Sequence, residues 1–77
     1  MVLTYKEALE HIAEAKGEAQ AGNIWDDEDI YVLTQTYVDT LATTFNKPHA
    51  VVNADLDKLD YLTKLAKAKK EAENADT

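Results

Sequence analysis

The groups able to do chemistry in this chain are almost all carboxylates. Asp26, Asp27, Glu28 and Asp29 form an unbroken acidic run beside Trp25, the only tryptophan. Glu7, Glu10, Glu14 and Glu18 form a second acidic set, spaced three or four residues apart. His11 lies inside that set, and His49 follows the single proline, Pro48. Cysteine, serine and arginine are absent. Thiolate metal sites, disulfides and the usual nucleophiles are therefore excluded, which leaves only Thr and Tyr hydroxyls. Neighbouring residues on a helix point about 100° apart, so the four adjacent acids cannot all face one cation. The run also lacks the glycine and closing glutamate of a calcium loop. Neither histidine belongs to a pair spaced for zinc. No glycine-rich loop is present to cradle a phosphate. The expectation is a chain with no catalytic, cofactor-binding or metal-ligating residues.

What remains for the carboxylates is recognition. The first 46 residues hold nine acids against Lys6 and Lys16, while residues 47–77 hold six acids and six lysines. The entire formal charge of −7 therefore belongs to the amino-terminal part. Such a field repels nucleic acid, whose partners need a basic patch. It attracts a basic protein surface and accelerates encounter with it. Along a helix, Glu7, Glu10, Glu14 and Glu18 share one side, where like charges repel by a few tenths of a kcal/mol per pair. A row of carboxylates one helical turn apart also imitates a nucleic-acid backbone. The residues expected to meet a partner are Glu7, Glu10, Glu14, Glu18, Asp26, Asp27 and Glu28, with Tyr31 and Tyr61 as aromatic contacts that fall off the apolar stripes of their helices. The bland alternative is that the acids only solvate a surface.

The elements that must position these groups are helices. Two glycines, one proline and abundant Ala, Leu, Glu and Lys favour helix throughout, and 45% apolar residues suffice for a core. Thr4-Tyr5-Lys6-Glu7 reads as a capping box. Tyr5, Leu9, Ile12, Ala13 and Ala19 then recur at helical spacing, so the first helix is expected over 5–20. Gly17 interrupts it and Gly22 closes it as the residue after the cap. Asp26 is expected to cap a second helix over 27–45. Asp27, Glu28 and Asp29 then occupy the first turn, where the helix dipole favours anions. Trp25 and Ile30 make a hydrophobic staple. Its stripe is Ile30, Leu33, Tyr37, Leu41, Thr44 and Phe45, with Tyr37 the aromatic core member and Val38 at the margin. Pro48 ends it. Asn53 is expected to cap a third helix over 54–73, bearing Leu56, Leu59, Leu62, Leu65 and Ala66. Residues 48–53 read as loop or as an earlier start of that helix. Residues 74–77 should fray.

Seventy-seven residues allow one domain, 1–77, and the simplest architecture is an all-α antiparallel three-helix bundle. No secretory leader is legible at Met1–Glu7, and no run approaches the roughly 18 apolar residues of a membrane span, so the expected location is cytoplasmic. The function expected is a non-catalytic interaction module whose acidic half docks on a basic protein, as a small inhibitor or accessory protein of the kind phages and plasmids carry. Direct nucleic-acid and membrane partners are not expected. The alternative is a structural protein that self-associates, for example as a homodimer, through Tyr31, Val38 and Tyr61. A third reading, a ligand- or metal-responsive regulator, would use His11 and its Glu neighbours.

Overall fold

The computed structural model describes residues 3–22 and 25–75. Asn23 and Ile24, in the stretch before the acidic run, and the last two residues of the tail lie outside them. The described residues are all-α and form four helices: α1 Tyr5–Ala21, α2 Asp27–Phe45, α3 His49–Asp57 and α4 Asp60–Ala75. No helix among the described residues is long and apolar enough to cross a membrane.

Local chemistry explains most boundaries. The Thr4 hydroxyl accepts from the Glu7 backbone N–H at 3.1 Å, and the Glu7 carboxylate reaches back to the Thr4 N–H at 3.4 Å, so the capping box is formed. Asp26 holds the extended backbone of an N-cap, φ −71° and ψ 155°, but its carboxylate makes no capping bond. The α2 helix closes on Asn46, which adopts the left-handed φ of 52° that asparagine tolerates. The Lys47 N–H then reaches the Ala42 carbonyl at 2.9 Å and the Asn46 N–H the Thr43 carbonyl at 3.4 Å, the two bonds of a Schellman close. Gly22 does not use left-handed backbone. Its φ is −67°, so it follows α1 in ordinary helical geometry.

Three pairings set the path. Tyr5 on α1 meets Phe45 at the far end of α2, while Lys16 and Gln20 share a hollow with Ile30 and Thr34 near its start. The two helices are therefore antiparallel. His49 meets Asp39 and Asn53 meets Gln35, so α3 runs back along α2. The Thr63 hydroxyl donates to the Ala13 carbonyl, and Gly17 lies against Ala66 and Lys67, so α4 runs in the same sense as α1.

The expected third helix is thus two helices, and it begins earlier, at His49 rather than 54. Pro48 occupies the N-cap with φ −62° and ψ 144°. Asn53, expected as that cap, instead uses its side-chain oxygen to accept from Gln35 at 3.1 Å. The break at Lys58 and Leu59 contains neither glycine nor proline. There the Leu59 N–H turns to the Leu56 carbonyl at 2.9 Å, tightening the chain. Packing accounts for it: α3 buries Val52 and Leu56 in the core, whereas α4 lies along α1. The predicted fraying of 74 and 75 is replaced by helix to Ala75.

The core is Leu9, Ala13, Val38, Leu41, Ala42, Val52 and Leu56. On α2 the buried line is Ile30, Thr34, Val38, Leu41 and Ala42, which shares Ile30 and Leu41 with the stripe expected but is turned from it by about 60°. Thr34 is the reason. Its hydroxyl donates to the Ile30 carbonyl at 2.8 Å, so it is buried with its polar group satisfied. Val38 is consequently fully buried, and Tyr37 is 40% exposed instead of central. Leu65, expected in the core, is 65% exposed. Thr63 takes its place against α1. Gly17 does not interrupt α1. It is buried, and its missing side chain is what lets α4 approach.

Candidate functional site

The acids of α1 lie on a ridge between two depressions. On one side, Glu14 and Glu18 share a shallow cleft of about 240 Å³ with Leu65, Lys69 and Lys70 of α4. On the other side lies an apolar groove of about 820 Å³ between α1 and α2. Its floor is Ala8, Ile12 and Ala15 from α1 and Tyr37, Leu41 and Phe45 from α2. His11 stands at the α1 rim, and Glu7, Glu18 and Glu14 follow it round the helix. The α2 rim is uncharged, with Thr40 and Thr44 lining it. Sequence reasoning missed this groove because it assigned Tyr37 and Thr44 to the core stripe. The signal was present in the surplus of apolar residues on α1: Ala8, Ile12, Ala15 and Ala19 add a second face beside Leu9 and Ala13.

The proposed contact residues fall in four places rather than one. Glu7 is exposed but engaged in the cap of α1. Glu10 is half-buried, and Glu14 and Glu18 are exposed on the ridge. Asp26, Asp27 and Glu28 are exposed at the start of α2, where Asp27 and Tyr31 line a third hollow of about 540 Å³ with Lys16, Asn53 and Asp57. Tyr61 is on α4, 62% exposed, and lines neither of the hollows that hold the acids. Val38, named with Tyr31 and Tyr61 as a self-association surface, is sealed inside the core at 0% exposure and cannot meet another chain.

Lys69 and Lys70 stand across the cleft from Glu14 and Glu18 without pairing to them. The ion pairs among the described residues are His49–Asp39 at 2.9 Å, Lys58–Asp55 at 3.8 Å and Lys64–Asp60 at 3.3 Å. None involves an acid of α1 or of the Asp26–Asp29 run. Trp25, paired in the sequence reading with Ile30, is about half-exposed, while Ile30 is buried.

Tyr5 has a structural task. Tyr5 packs edge-on against Phe45, with ring centroids 5.5 Å apart at 68°. Its hydroxyl donates to Asp55 at 2.7 Å, and the Lys47 ammonium stands 4.7 Å over its ring. Burial, then the hydrogen bond to the Asp55 carboxylate and that carboxylate's charge, push its phenol up to about 12. This tyrosine knots α1, the end of α2 and α3 together. Among the described residues, no three His, Asp or Glu side chains come together as ligands for a metal ion. No protein-family model, curated protein or solved structure matches the chain, so its role must be read from its own residues.

Proposed function

We propose that this chain is a non-catalytic protein-binding module of the cytoplasm. Its acidic α1 ridge and the start of α2 dock on a basic protein surface, in the manner of a small inhibitor or accessory protein. The observation carrying this reading is the pairing of Glu14 and Glu18, exposed and without an ion pair among the described residues, with the apolar groove beside them. Carboxylates alone give steering and little affinity, because exposed pairs contribute about 0–1 kcal/mol. Apolar area beside them supplies the remainder.

The test reverses charge at Glu14 and Glu18 together, because Glu7 is committed to the helix cap and Glu10 is half-buried. Wild-type bait should retain one dominant protein, another chain or an untagged copy of this one, at about 50 mM salt. It should release that protein at about 500 mM, where the Debye length is severalfold shorter. The Glu14→Lys/Glu18→Lys bait should retain less than a tenth as much. Equal retention by both baits at both salts sinks the reading. Mass spectrometry of the eluates provides the comparison.

A further inference from the structure

The seam between α2 and α3 is a ladder of polar rungs. His49 meets Asp39 at 2.9 Å, and one turn further along α3 the Asn53 side-chain oxygen accepts from Gln35 at 3.1 Å. Each rung steps four residues forward on α3 and four back on α2. The next step brings Asp57 level with Tyr31. There the ladder is not closed, since no hydrogen bond joins these two among the described residues. Both line the hollow of about 540 Å³ where the carboxy-terminal ends of α1 and α3 meet the start of α2.

Three charged side chains line this hollow: the ammonium of Lys16 and the carboxylates of Asp27 and Asp57. None of them belongs to an ion pair among the described residues. Lys16 is half-buried, and Asp27 and Asp57 are exposed. Both signs therefore border one space without neutralising each other. The deepest part of the lining offers no free polar group. Ile30 is buried and apolar, and the buried Thr34 hydroxyl is spent on the Ile30 carbonyl.

A ligand complementary to this lining carries the opposite pattern of charge. One anion answers Lys16, two cations answer Asp27 and Asp57, and an aliphatic stem joining them covers Ile30. Asp26 and Glu28, exposed on either side of Asp27 in the chain, favour a ligand whose net charge is positive. The volume lies within the roughly 300–1,000 Å³ of small-molecule sites. We infer that this hollow binds a free basic α-amino acid, with its carboxylate at Lys16 and its two cationic groups at Asp27 and Asp57. The site stands apart from the docking ridge, because Glu14 and Glu18 line a different cleft, so either reading fails without the other.

Probes that differ by one charged group provide the test. Free L-lysine carries all three groups, cadaverine lacks the carboxylate, and ε-aminocaproate lacks the α-ammonium. Each is added to the isotope-labelled full chain near neutral pH, with ionic strength held constant, while backbone amide shifts are followed. L-lysine should give saturable shifts around Lys16, Asp27 and Asp57, with a Kd on the order of 1 mM, the scale that about ten heavy atoms sustain at ordinary ligand efficiency. Cadaverine and ε-aminocaproate should each bind about tenfold more weakly, the loss of one charge-assisted contact. Lys16→Met should erase the preference for L-lysine over cadaverine, and Asp57→Asn should weaken L-lysine by a similar factor. Neither side chain holds an ion pair in the fold, so both variants should keep the circular dichroism of wild type. Shifts that stay linear in L-lysine up to about 20 mM, far above the expected Kd, indicate only a diffuse counter-ion atmosphere and overturn the inference. Equal affinity for L-lysine and either shortened probe overturns it as well, as does a Lys16→Met protein that still prefers L-lysine to cadaverine.

Discussion

Gly17→Ala is expected to lower the unfolding temperature by roughly 8–16 °C, the opposite of what alanine does in most helices. Helix propensity alone favours alanine over glycine by up to about 1 kcal/mol. At this position a Cβ would fall well inside contact distance of the Thr63 carbonyl oxygen, and 3.0 Å from both the Ala66 Cβ and the Lys67 backbone nitrogen. Two of those three neighbours are backbone atoms and cannot swing aside. The α4 helix must back away, and the 2.9 Å bond from Thr63 to the Ala13 carbonyl goes with it. Overpacking of this kind costs about 1–3 kcal/mol, and a buried hydrogen bond about 1 more. The net loss is about 2 kcal/mol, and in a domain of this size each kcal/mol moves the midpoint by roughly 4–8 °C. Gly22→Ala is the control. Its φ of −67° suits any residue, so alanine there should be neutral or stabilising by up to about 1 kcal/mol. Thermal denaturation followed by circular dichroism compares the two. A stabilised Gly17→Ala protein would mean that α4 is not seated on α1 through this glycine.

Tyr5→Ala should cost about 2–4 kcal/mol, the range for losing a large, partly buried ring with its partners. The ring edge against Phe45, the bond to Asp55 and the Lys47 contact are lost together. Tyr5→Phe removes only the hydroxyl and should cost about 1 kcal/mol near neutral pH, with part of the loss arising from Asp55 left without its donor. The hydroxyl's contribution also carries a pH signature. The folded phenol titrates at about 12, above its ordinary value of 10.0. Below pH 10 both folded and unfolded chains keep the proton, and the contribution is complete. Between about 10 and 12 the unfolded chain releases the proton while the folded one retains it, so stability falls as pH rises. Urea midpoints of wild type and Tyr5→Phe should therefore differ at pH 8 and converge as pH climbs past 10. Lysines titrate in both proteins and cancel in the difference. A gap that stays constant to pH 11 would show that Asp55 does not hold this phenol.

Local signals in the sequence specified local structure well. The Thr4–Glu7 box forms as its side chains dictate, and α2 starts at Asp27 and ends at Phe45 where expected, the start without a capping bond from Asp26 and the end on the left-handed backbone of Asn46. Errors arose where a distant partner decided the outcome. Thr34 reads as polar until its hydroxyl is seen to bond the preceding turn, and with it the buried line of α2 turns by about 60°. Gly17 reads as a flaw in α1 until α4 is placed against it. The break at Lys58–Leu59 has no residue that announces it, since it reconciles two separate packing demands on one stretch of chain. The acidic ridge was legible from spacing alone. The groove beside it was not, because its walls come from helices whose rotation only the tertiary structure fixes.

The seat of α4 has a further consequence for how the molecule breathes. Val38 and Val52 are sealed where α1, α2 and α3 converge, and opening them means opening the whole chain. The α4 helix rests chiefly on α1, through Gly17, Ala66 and the buried Thr63 hydroxyl, and sends only the half-buried Leu62 against the core. The buried apolar residues of the core all come from α1, α2 and α3, so α4 is expected to open as a unit at Lys58–Leu59 before they do. Backbone amides of α4 should thus exchange with solvent deuterium through this partial opening, at a lower free energy than those of α2 around Val38. Native-state exchange at low denaturant would resolve the two classes. The carboxy-terminal helix is then a latch with its own stability, closed by Gly17 and Thr63, rather than a fixed wall of the bundle.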